Sequence, residues 1–287
     1  MDKRLVSLIQ RAVQSPQAIF PFNASWQALH HEYNIGAPLG NRIRLDERDK
    51  AELVALVRQI AGLDLRTASV EEFADLDRHE ALRLGHQEKW AGRPVGARRL
   101  LLKALPGRPL RIGGQSLPLP SRGHLDIARD AVEGLDHEAV IVVENYACFD
   151  RLGQMRLVLD GRWANAAAVY RGDPHASRTD DVLGFLRAQA LPVLALVDID
   201  PAGLVIAQTL PGVAGLLAPP LPVLDGLLGQ GNPELCRKQR PGAEQSLRGS
   251  PHPFIRQCWA LIESHGAGVA QERWLQGDVE VVVHRLG

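Results

Sequence analysis

Two uninterrupted apolar runs that end in acidic residues constrain the fold of this chain more than any other feature. The run Ala139–Val143 leads directly into Glu144, and residues 192–197 lead into Asp198 and Asp200. A strand that is apolar at every position has to be buried on both faces, as in a parallel sheet covered by helices. The second half of the chain is therefore predicted to be an α/β domain.

Helical segments alternate with these strands along the sequence. We predict helices over residues 148–159 and 179–190, and another that begins at Pro201, which suits the first position of a helix. A further strand is predicted over residues 166–170 and is followed closely by Asp173. This alternation is typical of a sheet that carries helices on both faces.

The residues before this domain have a different pattern. Residues 48–61 carry apolar side chains at helical spacing and end at Gly62, and a second helix is predicted over residues 70–84. A third, basic helix is predicted over residues 96–104. Residues 108–119 contain two short apolar runs around a Gly-Gly pair, which is typical of a β-hairpin.

Helices followed by a basic helix and a hairpin are typical of a winged helix-turn-helix domain. Helical hairpins with a trailing ribbon also occur in domains that bind no nucleic acid. We divide the chain into an unassigned segment at residues 1–44, a mainly helical winged-helix-like region at residues 45–135 and the α/β domain at residues 136–287.

Charge is distributed unevenly, although the formal net charge is zero. Residues 83–129 contain ten basic and two acidic side chains, which favours a polyanionic partner such as double-stranded DNA. A solvated surface is the alternative explanation. The predicted DNA-binding residues lie on the basic helix, just before it and on the hairpin: Lys89, Arg93, Arg98, Arg99, Lys103 and Arg111.

The acidic residues that follow successive strands predict a metal site. In an open parallel sheet, ligands bind at the carboxyl ends of the strands. We therefore expect Glu144, Asp173, Asp198 and Asp200 to lie close together. Clustered carboxylates repel one another unless a cation neutralises them. Oxygen ligands without Cys or His select magnesium, manganese or calcium over zinc, and such a site suits the hydrolysis of a phosphodiester.

Most of these acidic residues also have a purely structural explanation. Asp200 precedes a proline and fits a helix N-cap. Asp173 belongs to a Gly-Asp-Pro turn sequence. Glu144 is the first residue that can reach the surface beyond a buried strand. Asp198 has no such explanation, because it ends a buried run where an unpaired charge is costly. The recurrence of acids at successive strand ends favours a functional site.

A strand that ends in Glu, followed later by a strand that ends in Asp-x-Asp at the start of a helix, resembles the Toprim domain of topoisomerases, primases and certain nucleases. More narrowly, residues 138–280 resemble the Toprim half of the JetD/MksG proteins. Four local sequences carry this resemblance: Val142-Val143-Glu144-Asn145, Tyr170-Arg171-Gly172-Asp173, Val197-Asp198-Ile199-Asp200-Pro201-Ala202-Gly203-Leu204 and, near the C-terminus, Ala270-Gln271-Glu272-Arg273.

The resemblance implies a function as well as a fold. In the JetD/MksG family a winged-helix region precedes the Toprim domain, and the protein is the nuclease subunit of a condensin-like SMC complex, Wadjet or Mks, that acts against plasmid DNA. By matching positions, Glu144, Asp198 and Asp200 become catalytic residues and ligands of Mg²⁺ or Mn²⁺, with Asp173 and Glu272 as further ligands. The implied partners are double-stranded DNA, SMC-like subunits and a second copy of the chain.

Two other functions are compatible with the same scaffold. Topoisomerase VI A subunits share the Toprim pattern and cut DNA through a tyrosine. Here that tyrosine would be Tyr33, because Tyr146 and Tyr170 fall within the predicted α/β domain. Tyr33 lacks the Arg-Asp and paired-tyrosine context of those enzymes, which favours hydrolysis by water. The other alternative is a non-catalytic DNA-binding adaptor, which the intact acidic set disfavours. A primase is least favoured, because no zinc-binding module is recognisable.

Composition narrows the class of protein further. Of the residues, 45% are hydrophobic, which is enough for a sizeable core. The three cysteines lie far apart without CxxC spacing, so they predict neither a zinc site nor a disulfide framework. The first residues lack the apolar core of a signal peptide, and no run approaches a membrane-spanning length. We therefore expect a cytoplasmic protein that does not enter a membrane.

Overall fold

The computed structural model describes residues 1–92, 97–173 and 179–286. The chain divides into two compact units, Met1–Val95 and Gly96–Gly287, and each has a hydrophobic core of its own. The boundaries predicted from the sequence differ from this division. The predicted winged-helix-like region at residues 45–135 is split between the two units.

The first unit combines α-helices with a small antiparallel sheet. Its elements are α1 (Lys3–Gln14), β1 (Ile19–Pro21), α2 (Ala24–Tyr33), β2 (Ala37–Leu39), β3 (Arg42–Arg44), α3 (Glu47–Ala61) and α4 (Arg78–Leu84). The strands pair in the order β1-β3-β2, and Trp26 and Phe73 are among the largest fully buried side chains. The segment that the sequence left unassigned is therefore an integral part of this unit.

Helix ends in the first unit follow from their capping residues. The helix predicted over residues 48–61 is confirmed as α3, which starts with a capping box and ends at Gly62 with a left-handed φ of 68°. The single helix predicted over residues 70–84 is instead two elements, the 3-10 helix Val70–Asp75 followed by α4. The helix does not run through because Asp77 forms a capping box of its own and starts a new helix.

The second unit contains the large sheet. Its strands are β4 (Arg99–Ala104), β5 (Leu110–Ile112), β6 (Gln115–Leu117), β7 (Leu125–Ala128), β8 (Ala139–Val143), β9 (Arg156–Val158), β10 (Ala166–Tyr170), β11 (Val193–Leu196), β12 (Val213–Ala218) and β13 (Glu280–Arg285). Its helices are α5 (Tyr146–Asp150), α6 (Thr179–Gln189), α7 (Pro201–Thr209), α8 (Leu221–Leu228), α9 (Pro233–Arg248) and α10 (Pro253–His265).

Eight of these strands form one sheet in the order β7-β4-β10-β8-β11-β12-β13-β9. The four central strands β10, β8, β11 and β12 are parallel, whereas β4, β7 and β13 run antiparallel to the strands they extend. Every residue of β8 is fully buried, as its continuous apolar sequence predicts. The α/β prediction is confirmed, with a mixed sheet in place of a purely parallel one.

The basic helix predicted over residues 96–104 is wrong. Residues 99–104 form β4, which pairs with β7 on one side and with β10 on the other. Leu100, Leu101 and Leu102 are consecutive and all buried, so this is a strand covered on both faces. A short apolar run of this kind fits a buried strand or a buried helix equally well, and its hydrophobic period cannot decide between them.

The helix predicted over residues 148–159 is also wrong beyond its first turn. Helix α5 ends at Asp150, a 3-10 turn follows at Leu152–Gln154, and the chain continues as the edge strand β9. In β9 the side chains alternate between exposed and half-buried positions, which is the period of a strand.

The other strands and helices predicted for the second unit are confirmed. The predicted hairpin forms between β5 and β6, and Gly113 and Gly114 both have positive φ, as a two-residue turn of this kind requires. Strands β8, β10 and β11 and helices α6 and α7 lie where the sequence places them. In the described part of the chain, no helix combines the length and apolar character needed to cross a bilayer.

Candidate active site

The neighbouring strands β8 and β11 bring acidic residues to one edge of the sheet. Val143 and Leu196 lie opposite each other in the parallel register, and the backbone amide of Glu144 donates to the Leu196 carbonyl at 3.0 Å. Glu144 therefore leaves β8 at the level where Asp198 and Asp200 follow β11. This is the carboxyl edge of the central parallel strands, where ligands bind in sheets of this type.

Glu144 and Asp198 are in direct contact. A carboxylate oxygen of Glu144, Oε2, accepts a hydrogen bond of 3.2 Å from the backbone N–H of Asp198. Burial raises the pKa of Glu144 to about 7, and the negative charge of Asp198 adds to that effect. The hydrogen bond from the amide opposes the shift but does not cancel it. Glu144 therefore takes up a proton near neutral pH unless a cation compensates its charge.

Asp198 is also held by the C-terminal part of the chain. Its Oδ1 accepts from the backbone N–H of Gln271 at 2.9 Å. Burial raises the pKa of Asp198, and the charges of Asp200 and Glu272 raise it further. The fully buried carboxamide of Gln271 lies next to this carboxylate, but neither of its polar atoms reaches a well-formed hydrogen bond.

Asp200 caps helix α7. Its Oδ1 accepts from Gly203 N–H at 2.7 Å, and its Oδ2 accepts from the Gln239 side chain at 3.0 Å. Gln239 also accepts from the Ala202 N–H at 3.0 Å, so one carboxamide fixes both the acid and the first turn of the helix. The N-cap explanation for Asp200 is thus confirmed. Its buried carboxylate nevertheless raises the pKa of both Glu144 and Asp198.

Two glycines allow the segment from Asp198 to Asp200 to fold so tightly. A Cβ atom on Gly203 would lie 2.1 Å from the Asp198 carbonyl oxygen, and one on Gly268 would lie 2.8 Å from the Asp200 Cβ. Residues 198–200 are therefore enclosed between α7 and the C-terminal segment. A two-residue antiparallel bridge between Ile199 and Val269 fastens that segment in place.

Glu272 joins the rim of this site through Asn145. The Asn145 side chain donates to the Glu272 carboxylate at 2.6 Å, and Glu272 is close enough to raise the pKa of Asp198. Asp173 has a different environment, because it accepts from the Tyr170 hydroxyl at 2.6 Å. Burial raises the pKa of Tyr170, and this contact raises it further.

The donor set suits a hard divalent cation only in part. In residues 1–92, 97–173 and 179–286, no three His, Cys, Asp or Glu side chains are arranged so that they could hold a metal by themselves. The five predicted ligands therefore do not form one ready-made coordination sphere. Magnesium usually takes only one or two protein carboxylates and completes its shell with water and substrate phosphate. Glu144 and Asp198 could supply these one or two carboxylates. A bound cation would also favour their charged forms, which burial disfavours.

The predicted DNA-binding residues have different environments. Lys103 is buried, and its ammonium donates to the carbonyls of Ser121, Phe149 and Asp150 at 3.3, 3.3 and 3.0 Å, so it has no donor left for a phosphate. The prediction that Lys103 binds DNA is therefore wrong. Residues 99–104 form an inner strand and not a helix on the surface.

The other basic residues are closer to the surface. Arg99 is paired with Asp126, and Arg111 donates to the side chain of Asn165. Arg98 is exposed at the start of β4, and Lys89 is exposed in the first unit. Arg93 lies outside the described residues. These residues are divided between the two units and do not share one helix.

Tyr33, the alternative nucleophile, lies at the end of α2 in the first unit. Its hydroxyl donates to the neighbouring Glu32 carboxylate at 2.7 Å, and this bond raises the tyrosine pKa. A nucleophilic tyrosine needs the opposite effect, because its phenolate has to form readily.

Several residues that build the site were not found from the sequence. Gln239, Asn145 and the backbone of Gln271 position the acids, and they come from parts of the chain 39, 127 and 73 residues away from their partners. No local spacing pattern predicts contacts between residues so far apart in the sequence. The Gln-Glu-Arg sequence was the one signal that pointed to the C-terminal segment.

These features define the second unit as an α/β domain with a buried acidic site at the carboxyl edge of its sheet. The sequence profile of a family described as "Domain of unknown function (DUF7281)" matches residues 97–282, which is most of the chain, and the chain belongs to this family. No curated protein sequence is similar enough to count as a match.

Proposed function

We propose that this protein is a metal-dependent DNA endonuclease with a Toprim-type catalytic domain. The observation that carries the proposal is the contact between Glu144 and Asp198, two partly buried acids just beyond adjacent parallel strands, whose pKa values are both raised. Acids with strongly shifted pKa values at a ligand-binding edge are candidates for chemistry. Here both shifts disfavour the charged forms of the two acids, and a bound cation would favour those forms.

The order of elements supports the Toprim assignment. Glu144 follows the central strand β8, and the Asp-x-Asp sequence follows its neighbour β11 at the start of α7. This is the arrangement that the resemblance to JetD/MksG proteins implies. On the same grounds we propose that the protein works in the cytoplasm as a homodimer, as the nuclease subunit of an SMC-like complex that restricts plasmid DNA.

Three side chains are assigned to the chemistry. Glu144 and Asp198 would hold Mg²⁺ or Mn²⁺. The negative charge of Asp200 would add to the electrostatic attraction for the ion. When bound, such an ion activates a water molecule and stabilises the leaving oxygen of the phosphodiester. The protein contributes orientation: the Asp198 N–H fixes the Glu144 carboxylate, and the Gln271 N–H fixes that of Asp198. Glu272 is proposed as an outer ligand.

The winged-helix function is proposed for the first unit. That unit has helices and a three-stranded antiparallel sheet of order β1-β3-β2, with an exposed hairpin between β2 and β3. Arg42 and Arg44 are exposed on this hairpin, and Lys89 is exposed in the same unit. Such residues suit contacts with phosphates and little base recognition.

The test is the incubation of supercoiled plasmid with the purified protein. We expect nicked or linear DNA with magnesium or manganese and intact plasmid with EDTA. Asp198→Asn is expected to lower cleavage by about 100-fold or more, because it removes charge that the transition state requires. Asp130→Asn, which changes an exposed acid of the same unit, is the matched control and should cleave normally.

The same assay separates the alternatives. An adaptor binds the plasmid but produces no cut with any metal. A tyrosine nucleophile leaves protein covalently attached to DNA ends, which gel electrophoresis in detergent with and without protease detects. The hydrolytic proposal requires free ends, and these ends should be unchanged in Tyr33→Phe.

A further inference from the structure

An exposed tyrosine lies directly beside the acidic site. In the described residues, Tyr146 is the one aromatic side chain among the large hydrophobic groups that are exposed, with 43% of its surface accessible. It is the first residue of α5 and follows Glu144 by two positions. Because consecutive Cα atoms are 3.8 Å apart, the backbones of these two residues lie within about 7.6 Å of each other.

Other aromatic rings pack against Tyr146. Its ring centroid lies 5.3 Å from that of Tyr170, 6.2 Å from that of His124 and 6.3 Å from that of Phe149. Phe149 and Tyr170 are buried in the core. Packed aromatic side chains thus lie against the Tyr146 ring, while a large part of the residue's surface remains open to solvent.

The backbone that carries Tyr146 is fixed as well. Asn145 caps α5 by accepting from the Cys148 N–H at 3.2 Å, and its amide donates to Glu272 at 2.6 Å. One residue therefore links the acidic site to the start of the helix. The start of α5, which carries Tyr146, is thus held next to Glu144, as a positioning surface requires.

Positive charge lies near the ring and near the acid beside it. Arg122 lies close to Tyr146, and its side chain is 64% exposed although it pairs with Asp150. Arg171 follows β10 and favours the charged forms of both Glu144 and Tyr170. An exposed ring with arginines near it and near the adjacent acid is the combination with which proteins bind single-stranded nucleic acid, where bases stack and the backbone is neutralised.

We propose that Tyr146 is a stacking platform for an unpaired nucleobase of the DNA strand whose phosphate enters the acidic site. This inference rests on the proposed function. In a duplex the faces of the bases are covered by their neighbours, so a tyrosine can stack only on a base that is unpaired or displaced. The preferred substrate is therefore DNA that is single-stranded or locally opened at the point of cleavage.

Binding of short oligonucleotides tests the platform without relying on cleavage. Fluorescence anisotropy in calcium buffer compares oligodeoxythymidine with an abasic strand of the same length and charge. The wild-type protein should bind the strand with bases about tenfold more tightly, since one stacked base contributes on this scale. Tyr146→Ala should lose that preference, whereas Tyr146→Phe should keep it because the ring remains.

The controls separate this inference from the nuclease proposal. Val158→Ala removes an exposed apolar side chain elsewhere in the same unit and should bind like wild type. Equal affinity of the wild-type protein for both strands, or a preserved preference in Tyr146→Ala, overturns the platform whatever the plasmid assay shows. If the binding results are as expected but the protein does not cut plasmid, the nuclease proposal is refuted and the platform is not. A Tyr146→Phe variant that loses the preference for the strand with bases would assign that preference to the hydroxyl and not to the ring, which also overturns stacking.

Discussion

At the scale of single residues, the site is governed by the cost of negative charge in a buried position. Glu144 gains one hydrogen bond from the Asp198 amide, which favours its carboxylate, but burial and the neighbouring acids outweigh that bond. Asp200 tolerates its burial because both carboxylate oxygens accept hydrogen bonds. The site therefore contains one acid whose two carboxylate oxygens both accept hydrogen bonds, and two acids whose pKa values are raised because burial and neighbouring acids outweigh their favourable contacts.

Replacing Glu144 by Gln should stabilise the metal-free protein at alkaline pH. The pKa of Glu144 is raised from 4.5 to about 7 on folding, so the protonated form is favoured by the fold. Its contribution to stability is fully present below pH 4.5 and is lost as the pH rises towards and through 7. At pH 8 in EDTA, Glu144→Gln is expected to unfold with a free energy higher by at most about 3 kcal/mol.

Urea unfolding at pH 4 and pH 8 measures this difference. The gain should vanish at pH 4, and Glu133→Gln, an exposed acid of the same unit, should show no gain at either pH. Magnesium should stabilise the wild-type protein at pH 8 and reduce the advantage of the variant, because a ligand that binds only the folded state raises its stability. A gain of equal size at both pH values would contradict the electrostatic explanation.

At the scale of elements, strand β4 is where the sequence was most misleading. Its first residues are basic and its centre is continuously apolar, a pattern compatible with a helix that faces DNA. In the fold, Leu100 and Leu102 are fully buried, and Lys103 reaches three backbone carbonyls through the interior. Desolvation by this burial lowers the pKa of Lys103.

We expect Lys103 to matter for stability and Arg98 for DNA binding. Lys103→Met should lower the free energy of unfolding by about 2 kcal/mol or more, because buried carbonyls lose their donor. It should leave the salt dependence of DNA binding unchanged. Arg98→Ala should have wild-type stability and reduce the salt slope by about 1, since a phosphate contact releases about one counterion. A Lys103→Met protein with normal stability and a reduced slope would return this residue to the DNA interface.

What the sequence could predict at this scale follows from the range of the forces involved. Strand β8 and helix α7 were predictable because a continuous apolar run and an Asp-Pro start are local signals. The edge strand β9 was missed because its pairing with β13 joins residues 124 positions apart. In the site, the acids could be found from strand ends, whereas Gln239 and Asn145 act through contacts between distant elements. The role of Tyr146 depends on exposure, which no spacing pattern contains.

At the scale of the whole molecule, the acidic site lies entirely within one of the two units. Glu144, Asp198, Asp200 and Glu272 all belong to the unit Gly96–Gly287. Strands β4 and β7 belong to it as well, although the sequence placed them in the winged-helix-like region. The family match at residues 97–282 covers the same part of the chain.

Two fragments distinguish the structural boundary from the predicted one. A fragment of residues 96–287 contains the whole eight-stranded sheet and should unfold in one cooperative transition that magnesium shifts to higher temperature. A fragment of residues 136–287 lacks β4, which pairs with β10 through Leu102, Lys103 and Ala104. It therefore exposes an apolar edge strand and should aggregate or fail to show a cooperative transition. Circular dichroism during heating, with and without magnesium, measures both. Cooperative folding of the shorter fragment would mean that β4 and β7 are dispensable, and that the boundary at residue 135 was correct after all.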